Sequence, residues 1–350
     1  MIIDTEDAGT PFRFLTSFLS LQEGRQFVLT GSERLCERPI IDLVNALQSI
    51  GADISYLHLH GFAPLLIKGK KLTGNQVSIA GNISSQFISS LCLIAPLLAD
   101  GLKISIEHHI VSDTYIQMTL ACLHEFGIRY NTNDKFIHIP HQSFLARPFS
   151  IENDWSSAVL FYTMAMISNE ADMSMDGLNK KSLQGDAFIQ HIAKEFGIET
   201  QFIGNDCRIR KTKSAPLSFS KHFNLNAYPD LAVPFIVACA LTYPQIEMSG
   251  IAHLELKESQ RITALTNELK KINIELLYQN DLLHFIQPTA LITGKKVNFH
   301  TYHDHRIAMA LCMLTLKGYT VQLDDTECVQ KSFPDFFRQA DILGIKKVKQ

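Results

Sequence analysis

The sequence lacks a long apolar run, a basic leader segment and a large excess of charge of either sign. The apolar runs 91–99 and 231–241 are too short to cross a bilayer, and each is interrupted by a proline. Since the first residues also lack the pattern of a signal peptide, we expect a cytoplasmic protein with no membrane partner. The 32 basic and 35 acidic residues give a formal charge of -3, which argues against general nucleic-acid binding. Any anion site must therefore come from a local cluster of cations.

The cysteines lack the spacing of a metal site. Seven are scattered along the chain with no CxxC pair, at Cys36, Cys92, Cys122, Cys207, Cys239, Cys312 and Cys328. This distribution is typical of reduced thiols in the cytoplasm, and it predicts no structural zinc.

The chain does have enough apolar material for two domains, and it has a repeated helix ending. Its 350 residues are 46% hydrophobic and 19% charged, as in globular proteins with sizeable cores. A glycine or asparagine recurs at intervals of roughly 70 to 76 residues, each time before an apolar segment. These positions, predicted to be helix C-caps, are Gly51, Gly127, Gly197, Asn273 and Gly344.

After most of these caps the pattern predicts a strand, a polar turn and a second strand. One hairpin has the turn 204–206 between strands 198–203 and 207–210, and another has the turn 279–281 between strands 274–278 and 282–286. The unit is too long for a simple solenoid repeat. We therefore predict several α/β units packed around shared cores.

Predicted helix starts form a second regularity. They lie at Thr10-Pro11, Ser84-Ser85-Gln86, Ser112-Asp113-Thr114, Asp154-Trp155-Ser156-Ser157 and Pro229-Asp230. Taken singly, each predicts only a cap. Several of them converging on one cleft would form an anion site from free N–H groups and helix dipoles.

The segment 256–261, Leu-Lys-Glu-Ser-Gln-Arg, concentrates two cations and a carboxylate. If Lys257 opens a helix, then Lys257, Gln260 and Arg261 project from one side, which suits a multiply charged anion. The alternative is a solvated helix face on which Glu258 pairs with Arg261, and this is the default for such a string in isolation. The segment alone does not decide between them.

Motifs along the whole chain favour the anion site. They are Asp7-Ala8-Gly9-Thr10-x-x-Arg13, Thr30-Gly31-Ser32-Glu33-Arg34-x-x-Glu37-Arg38-Pro39-Ile40, Ser84-Ser85-Gln86-Phe87, Val111-Ser112-x-x-Tyr115, Asn226-x-x-Pro229-Asp230-Leu231-Ala232, Lys257-Glu258-x-x-Arg261, Asp304-His305-Arg306-x-Ala308-Met309 and Lys331-Ser332-Phe333-Pro334-Asp335. In this order they resemble the enolpyruvyl transferase family, and specifically its branch that acts on shikimate 3-phosphate. The resemblance covers nearly the whole chain.

The resemblance implies an α/β (α+β) fold of two domains. Each domain is a pseudo-threefold assembly of βαβαββ units, with helix N-termini facing the interdomain cleft. The first domain would be residues 1–151, with about two of its three units, and the second would be residues 152–350, with all three. The family pattern places about eighty further residues, one repeat unit, before the first motif. The expected explanations are an internal start or a truly shortened protein, and the first is favoured because losing a unit exposes apolar faces and sheet edges.

The implied reaction transfers the enolpyruvyl group of phosphoenolpyruvate to the 5-hydroxyl of shikimate 3-phosphate and releases phosphate, a step of aromatic amino acid biosynthesis. It uses no metal and no cofactor, its partners are the two small molecules, and we expect a monomer. Two alternatives stay open: a shortened paralogue that only binds a ligand or partner, and transfer to another acceptor such as UDP-N-acetylglucosamine. The second is disfavoured because Glu33 stands where that branch typically has a cysteine, and Cys36 is out of register.

The resemblance also assigns site residues. Ser84, Ser85 and Ser112 would hold the phosphate of shikimate 3-phosphate, with Gln86 between the substrates. The catalytic residues would be Asp230 as base and anchor for the shikimate hydroxyls, Glu258 as proton shuttle at the phosphoenolpyruvate methylene, and Lys257 in contact with both substrates. The phosphoenolpyruvate site would comprise Arg38, Arg261, Arg306 and Lys331, with Gly9 allowing close backbone approach. Without the resemblance, the serines would be interpreted as N-caps and the arginines as solvated surface residues.

Glu255 departs from the family pattern, in which a basic residue is frequent near Lys257. A carboxylate facing the cleft would weaken anion binding, whereas strand-like alternation before Lys257 would turn it outward. The sequence leaves both orientations open.

Overall fold

The computed structural model of the protein describes residues 1–204, 206–211, 221–287 and 294–345. The chain divides into two compact units, Met1–Phe149 (unit 1) and Ser150–Gln350 (unit 2). Each unit has its own hydrophobic core. Within the described ranges, no helix has the length and apolar character needed to cross a membrane.

Unit 1 contains two four-stranded sheets of the same topology. The first is built from β1 (Ile2–Asp4), α1 (Gly9–Ser20), β2 (Gln26–Thr30), α2 (Glu33–Cys36), α3 (Ile41–Ser49), β3 (Asp53–Tyr56) and β4 (Leu65–Lys68). The second is built from β5 (Gln76–Ala80), α4 (Ser85–Ile94), β6 (Leu102–Glu107), α5 (Asp113–Glu125), β7 (Asn131–Asn133) and β8 (Phe136–Ile139). The strand orders are β1-β2-β4-β3 and β5-β6-β8-β7, each with a parallel first pair and antiparallel pairs after it.

Unit 2 repeats this pattern once in full. The full copy is built from β12 (Lys221–Asn224), α8 (Pro229–Thr242), β13 (Ile246–Ser249), α9 (Arg261–Lys270), β14 (Glu275–Gln279) and β15 (Leu282–Ile286). It is preceded by α6 (Trp155–Ile167), β9 (Ala171–Asp176), α7 (Ile189–Glu195), β10 (Ile198–Ile203) and β11 (Asp206–Lys211), and followed by β16 (Lys296–Phe299), α10 (His305–Cys312), β17 (Thr320–Leu323) and α11 (Phe336–Ile342). The full copy has the order β12-β13-β15-β14, the three-stranded sheet has the order β10-β11-β9, and β16 pairs in parallel with β17. The α/β fold predicted from the repeat is confirmed.

The core of unit 2 is centred on helices that are apolar on all sides. Every residue of α8 is buried except Asp230 and Thr242, and α6 packs against it with Trp155 and Tyr162 fully buried. A helix without a polar face must be surrounded by other elements, because no side of it gains from contact with water. The first turns of α6, α8 and α10 carry the polar residues instead.

The five predicted helix C-caps are confirmed. Their φ angles are all positive, at 104° for Gly51, 83° for Gly127, 77° for Gly197, 63° for Asn273 and 88° for Gly344. At Gly51 the backbone N–H donates to Gln48 O at 2.9 Å, and the next N–H donates to Leu47 O at 3.0 Å. This pair of bonds is the Schellman arrangement, which requires a left-handed residue. Glycine and asparagine are the residues that adopt it at least cost.

The predicted hairpins and helix starts are also confirmed, with small shifts in their bounds. Asn280 and Asp281 both have positive φ angles, 52° and 58°, as a two-residue turn between twisted strands requires. In the other hairpin, Asn205 lies outside the described residues. Helices α4, α5, α6 and α8 begin within the predicted start motifs, whereas α1 begins at Gly9, one residue before Thr10.

Candidate active site

In unit 1 the helices α1 and α4 run in the same direction, with their N-termini side by side. Gln86 Nε2 donates to Thr10 Oγ1 at 2.8 Å, so the first turns of the two helices touch. Further along both helices, the hydroxyls of Ser17 and Ser90 lie 2.6 Å apart. The free N–H groups of the two helix starts therefore point to one end of the unit, where an anion is favoured.

The predicted phosphate-binding serines lie at two helix starts of unit 1. Ser84 and Ser112 occupy the N-cap positions of α4 and α5, but neither side chain caps its helix. Ser112 has a left-handed φ of 57°, is 2% exposed, and its Oγ has no hydrogen-bond partner. The structure therefore does not support the interpretation of these serines as ordinary side-chain N-caps. A buried hydroxyl without a partner, on a strained residue, is the kind of group that a ligand completes.

Gly9 lies against two arginines. A Cβ atom at this position would lie 2.7 Å from Arg13 Nη1 and 2.9 Å from Arg38 Nη1, so a larger residue would displace them. Arg13 is 4% exposed and donates from Nη1 to Gly9 O at 2.9 Å. Arg13 belongs to the first motif, but unlike Gly9 and Arg38 it has no role predicted from the sequence.

In unit 2 the candidate site is built around Arg261, whose side chain is 1% exposed. Its Nε donates to Asp304 Oδ2 at 2.8 Å, and its Nη2 donates to Glu258 Oε2 at 2.7 Å. Its Nη1 lies 3.7 Å from Asp230 Oδ1 and has no hydrogen-bond partner. Burial of a guanidinium is tolerated only with such paired carboxylates, and here one donor of the fork is still unfilled.

Asp304 connects this arginine to the start of α10. Its side chain is fully buried, accepts from Arg306 N at 2.9 Å as the N-cap of α10, and accepts from Ser259 Oγ at 2.9 Å. Burial would raise the pKa of this carboxyl, but the charge and hydrogen bond of Arg261 lower it below its ordinary value. Asp304 therefore stays ionised and fixes the position of Arg261.

Asp230 lies at the start of α8, where Pro229 occupies the first helical position. Arg306 Nη2 lies 2.9 Å from Asp230 Oδ2, and Arg306 Nη1 donates to Asp230 O at 3.2 Å. The same arginine donates to Ser156 Oγ at 3.3 Å. Since Ser156 belongs to α6, Arg306 brings the starts of α6, α8 and α10 together. The side chains of Asp230 and Glu258 are each 25% exposed, so both remain accessible.

Lys257 does not open a helix, so the condition under which Lys257, Gln260 and Arg261 would share one helix side is not met. Residues 252–256 form a 3-10 turn, Lys257 has extended backbone with φ -90° and ψ -157°, and α9 begins only at Arg261. Glu258 does pair with Arg261, as the alternative interpretation required, but the buried arginine excludes a solvated helix face. The helix begins late because Ser259 and Arg261 are both bonded to Asp304, 43 residues beyond Arg261.

Two histidines of this region are buried and uncharged at neutral pH. Burial, followed by the charge of Lys257, lowers the pKa of His253 to about 4. Burial, followed by the charge of Arg306, lowers the pKa of His305 to about 4. Neither histidine therefore adds positive charge to the site near pH 7.

Asp186 is a further buried residue of this region, and no role for it is predicted from the sequence. It is 6% exposed, and burial together with the charge of Asp230 raises its pKa to about 8 against the opposing effect of Arg306. Its 3-10 turn is held to the α8 start by stacking of Phe188 on Tyr228, with ring centroids 4.6 Å apart. No motif marks this aspartate, and only the fold reveals its burial.

Lys331 differs from the other proposed site residues of unit 2 in being exposed. It lies at the end of a 3-10 turn, 327–331, that contacts α10. Among the described residues, no group of three or more His, Cys, Asp and Glu side chains is placed to hold a metal ion.

A two-unit α/β protein with helix starts, arginines and partly exposed carboxylates assembled in this way is of the class that binds small anionic substrates. Comparison with known proteins gives the family. Residues 1–340 match the family EPSP synthase (3-phosphoshikimate 1-carboxyvinyltransferase). The chain belongs to this family.

Individual relatives agree with this assignment. A 3-phosphoshikimate 1-carboxyvinyltransferase of Bacteroides fragilis is 37% identical over 96% of this chain and 82% of its own length. One of Haemophilus influenzae is 34% identical over 97% of this chain and 78% of its own. An EPSP synthase structure from Acinetobacter baumannii covers all of this chain and 80% of its own, with a TM-score of 0.75 and 23% identity. At that identity the structural likeness supports the fold.

Proposed function

We propose that this protein transfers the enolpyruvyl group of phosphoenolpyruvate to the 5-hydroxyl of shikimate 3-phosphate and releases phosphate. The observation that carries the proposal is the cluster of Asp230, Glu258, Arg261 and Arg306 in a chain of the EPSP synthase family. The reaction needs a proton removed from a hydroxyl and a proton delivered to a methylene carbon, and two accessible carboxylates can divide this work.

Asp230 and Glu258 are proposed as the proton-transferring residues because they combine access with orientation. The carboxylates of Asp230, Glu258 and Asp304 each contact an arginine. The side chains of Asp230 and Glu258 are a quarter exposed, whereas that of Asp304 is fully buried. We assign Asp230 to the shikimate hydroxyls and Glu258 to the methylene of phosphoenolpyruvate. Asp304 has no access to a substrate, and its proposed role is to hold Arg261.

The arginines are proposed to bind phosphoenolpyruvate. The unfilled Nη1 of Arg261 is a charged donor that an anionic oxygen would satisfy, and the planar guanidinium of Arg306 contacts the same Asp230 carboxylate. Lys257 is proposed to contact both substrates and Lys331 to bind phosphoenolpyruvate. Both are placed on non-helical backbone or at the end of a short turn, where the side chain can adjust to a ligand.

For residues of unit 1 we propose roles in substrate binding. Ser84, Ser85 and Ser112 would bind the phosphate of shikimate 3-phosphate at the helix starts, with Gln86 beside the substrates. The buried, unpartnered hydroxyl of Ser112 supports this assignment. Arg38 would bind phosphoenolpyruvate. Its guanidinium lies against Gly9, where a larger residue would displace it. We further propose that the protein acts in the cytoplasm and is a monomer. Light scattering on the purified protein would test the oligomeric state.

The test is phosphate release from phosphoenolpyruvate with shikimate 3-phosphate as acceptor, compared with UDP-N-acetylglucosamine as acceptor. Release with the first acceptor only is the expected result, and release with neither would refute the proposal. Glu258→Gln should lose at least about 100-fold in kcat, because general acid–base catalysis contributes at least that much, while affinity for shikimate 3-phosphate stays close to wild type. Wild-type turnover of this variant would remove Glu258 from the mechanism.

A further inference from the structure

The carboxylate of Glu255 hydrogen-bonds to Thr263 and so closes a loop of the chain that contains the proposed catalytic residues. Its Oε1 accepts from Thr263 N at 2.9 Å, and its Oε2 accepts from Thr263 Oγ1 at 2.9 Å. Thr263 is the third residue of α9, so the bond satisfies one of the N–H groups that a helix start leaves open. Glu255 is therefore turned toward the start of α9.

This contact replaces the usual helix cap. The N-cap residue of α9 is Gln260, whose side chain makes no capping bond, and the first turn of the helix contains no acidic residue. A carboxylate five residues before the N-cap supplies both the hydrogen bond and the negative charge that a helix N-terminus favours. The chain must double back between Glu255 and Thr263 to allow it.

The residues inside this loop are those that the proposed reaction uses. Lys257, Glu258 and Arg261 all lie between the two ends of the Glu255–Thr263 contact. The segment 257–260 belongs to no helix or strand, and backbone hydrogen bonds lie at its two ends, from Lys257 N to Leu254 O at 3.4 Å and from Ala264 N to Gln260 O at 2.8 Å. Its position depends on contacts made from outside it.

Two other anchors hold the flanks of the loop. Before it, the Asp281 carboxylate accepts from the N–H groups of Gly250, Ile251 and Ala252 at 2.9 to 3.3 Å. At the far end of the loop, Asp304 accepts from Ser259, which lies within the segment 257–260, and from Arg261, which follows it. Glu255 is the anchor between these two, next in the chain to Leu256 and Lys257.

We propose that Glu255 is a positioning residue for the transfer reaction: through Thr263 it fixes the loop that carries Lys257 and Glu258 and sets their place relative to α9. The proposal rests on the proposed function for its catalytic part. The structural part, that the loop is held by this contact, stands independently and has its own measurement.

The test combines enzyme kinetics with amide hydrogen exchange of residues 256–261 in the intact, ligand-free protein. Glu255→Ala removes both bonds, and we expect about tenfold faster exchange in this segment and about tenfold lower kcat, the size of effect that a lost charged cap has on a local equilibrium. Glu255→Gln retains an acceptor for Thr263 N and a donor for its hydroxyl, so it should restore both readouts to within about threefold of wild type. Thr263→Val keeps the backbone bond to Glu255 and loses the hydroxyl bond. Its exchange rate and kcat should therefore lie between those of Glu255→Ala and wild type.

Asp172→Ala is the matched control. Asp172 also accepts two hydrogen bonds, from Arg208 at 2.7 and 2.6 Å, but on the exposed surface of β9, and its loss should change neither readout. Unchanged exchange in Glu255→Ala would overturn the proposal. Equal damage in Glu255→Gln and Glu255→Ala would also overturn it, because charge and not geometry would then be the cause. An inactive wild-type protein would refute the proposed function, and the exchange measurement would still judge the loop contact.

Discussion

Replacing Asp304 with asparagine should cost far more stability than the same replacement at another helix N-cap. Asp304 is fully buried and accepts from Arg261 Nε, Ser259 Oγ and Arg306 N. Asparagine is as good an N-cap as aspartate, so the loss of capping energy at the start of α10 should be small. The main loss is the charge beside the buried Arg261, and the asparagine NH₂ group would also face one of these donors.

The stability cost of Asp304→Asn follows from the ion pair that Asp304 makes with Arg261. Breaking a buried ion pair by removing one partner costs about 3 to 5 kcal/mol. Glu258 still contacts Arg261, so we place the cost at the lower end, about 3 kcal/mol, or roughly 6 to 12 °C in Tm for a unit of this size. The free energy of unfolding would be measured by urea denaturation of the full chain.

Asp154→Asn is the matched control for this measurement. Asp154 caps α6 by accepting from Ser156 N and Ser157 N, both at 3.1 Å. In the part of the chain that the structure describes, its carboxylate is bonded to Ser156 and Ser157 and contacts no arginine, so its replacement should lower the free energy of unfolding by less than about 0.5 kcal/mol. Equal costs for the two variants would refute the reasoning that Asp304 acts mainly through Arg261.

The pH dependence of the Asp304 effect has a definite sign. The native pKa of this carboxyl is lowered, so its stabilisation is present above the unfolded pKa, about 3.9, and is lost as the pH falls toward the native value. The difference between wild type and Asp304→Asn should therefore narrow in acid. A difference that stays constant down to the lowest pH at which the protein folds would contradict the assignment.

Three further predictions concern other parts of unit 2. Asp186 has a raised native pKa of about 8, so stability should fall as the pH rises from about 4 to 8, and Asp186→Asn should flatten this slope in urea denaturation series. Lys211→Met should lower the free energy of unfolding by about 2 to 3 kcal/mol, because the buried Lys211 Nζ donates to three carbonyl oxygens near the end of α6. Lys317→Met loses only one such bond and should lower it less in the same urea denaturation measurement. Asn273→Gly should raise the free energy of unfolding by about 0.5 kcal/mol, because a left-handed cap favours glycine, whereas Gly197→Ala should lower it by about 1 kcal/mol.

The features that sequence predicts here are those set by local backbone chemistry. The left-handed caps at Gly51 and Asn273 and the turn at Asn280 were predictable because few residues adopt positive φ. The apolar helices were predictable because α8 has no polar face. In each case the cause lies within a few residues of the effect.

The parts of the site that sequence could not predict depend on distant partners. The late start of α9 reflects the bonds to Asp304, and nothing near Lys257 indicates them. The pKa shift of Asp186 requires burial beside Asp230, which only the packed unit provides. Glu255 has a partner only eight residues away, but the non-helical path between them cannot be read from periodicity.

The sheet topology has a consequence for how the chain folds. The strands of each four-stranded sheet come from one continuous stretch, 2–68, 76–139 or 221–286, so every strand pairing in them is short-range relative to a chain of 350 residues. Low contact order favours rapid formation of each sheet with its own helices. Within unit 2, packing the sheet of 221–286 together with the segments before and after it around α6 and α8 requires contacts between separate stretches of the chain. The slow step of folding should therefore be the assembly of finished repeats, and an intermediate with formed strands and an incomplete core is the species expected to accumulate.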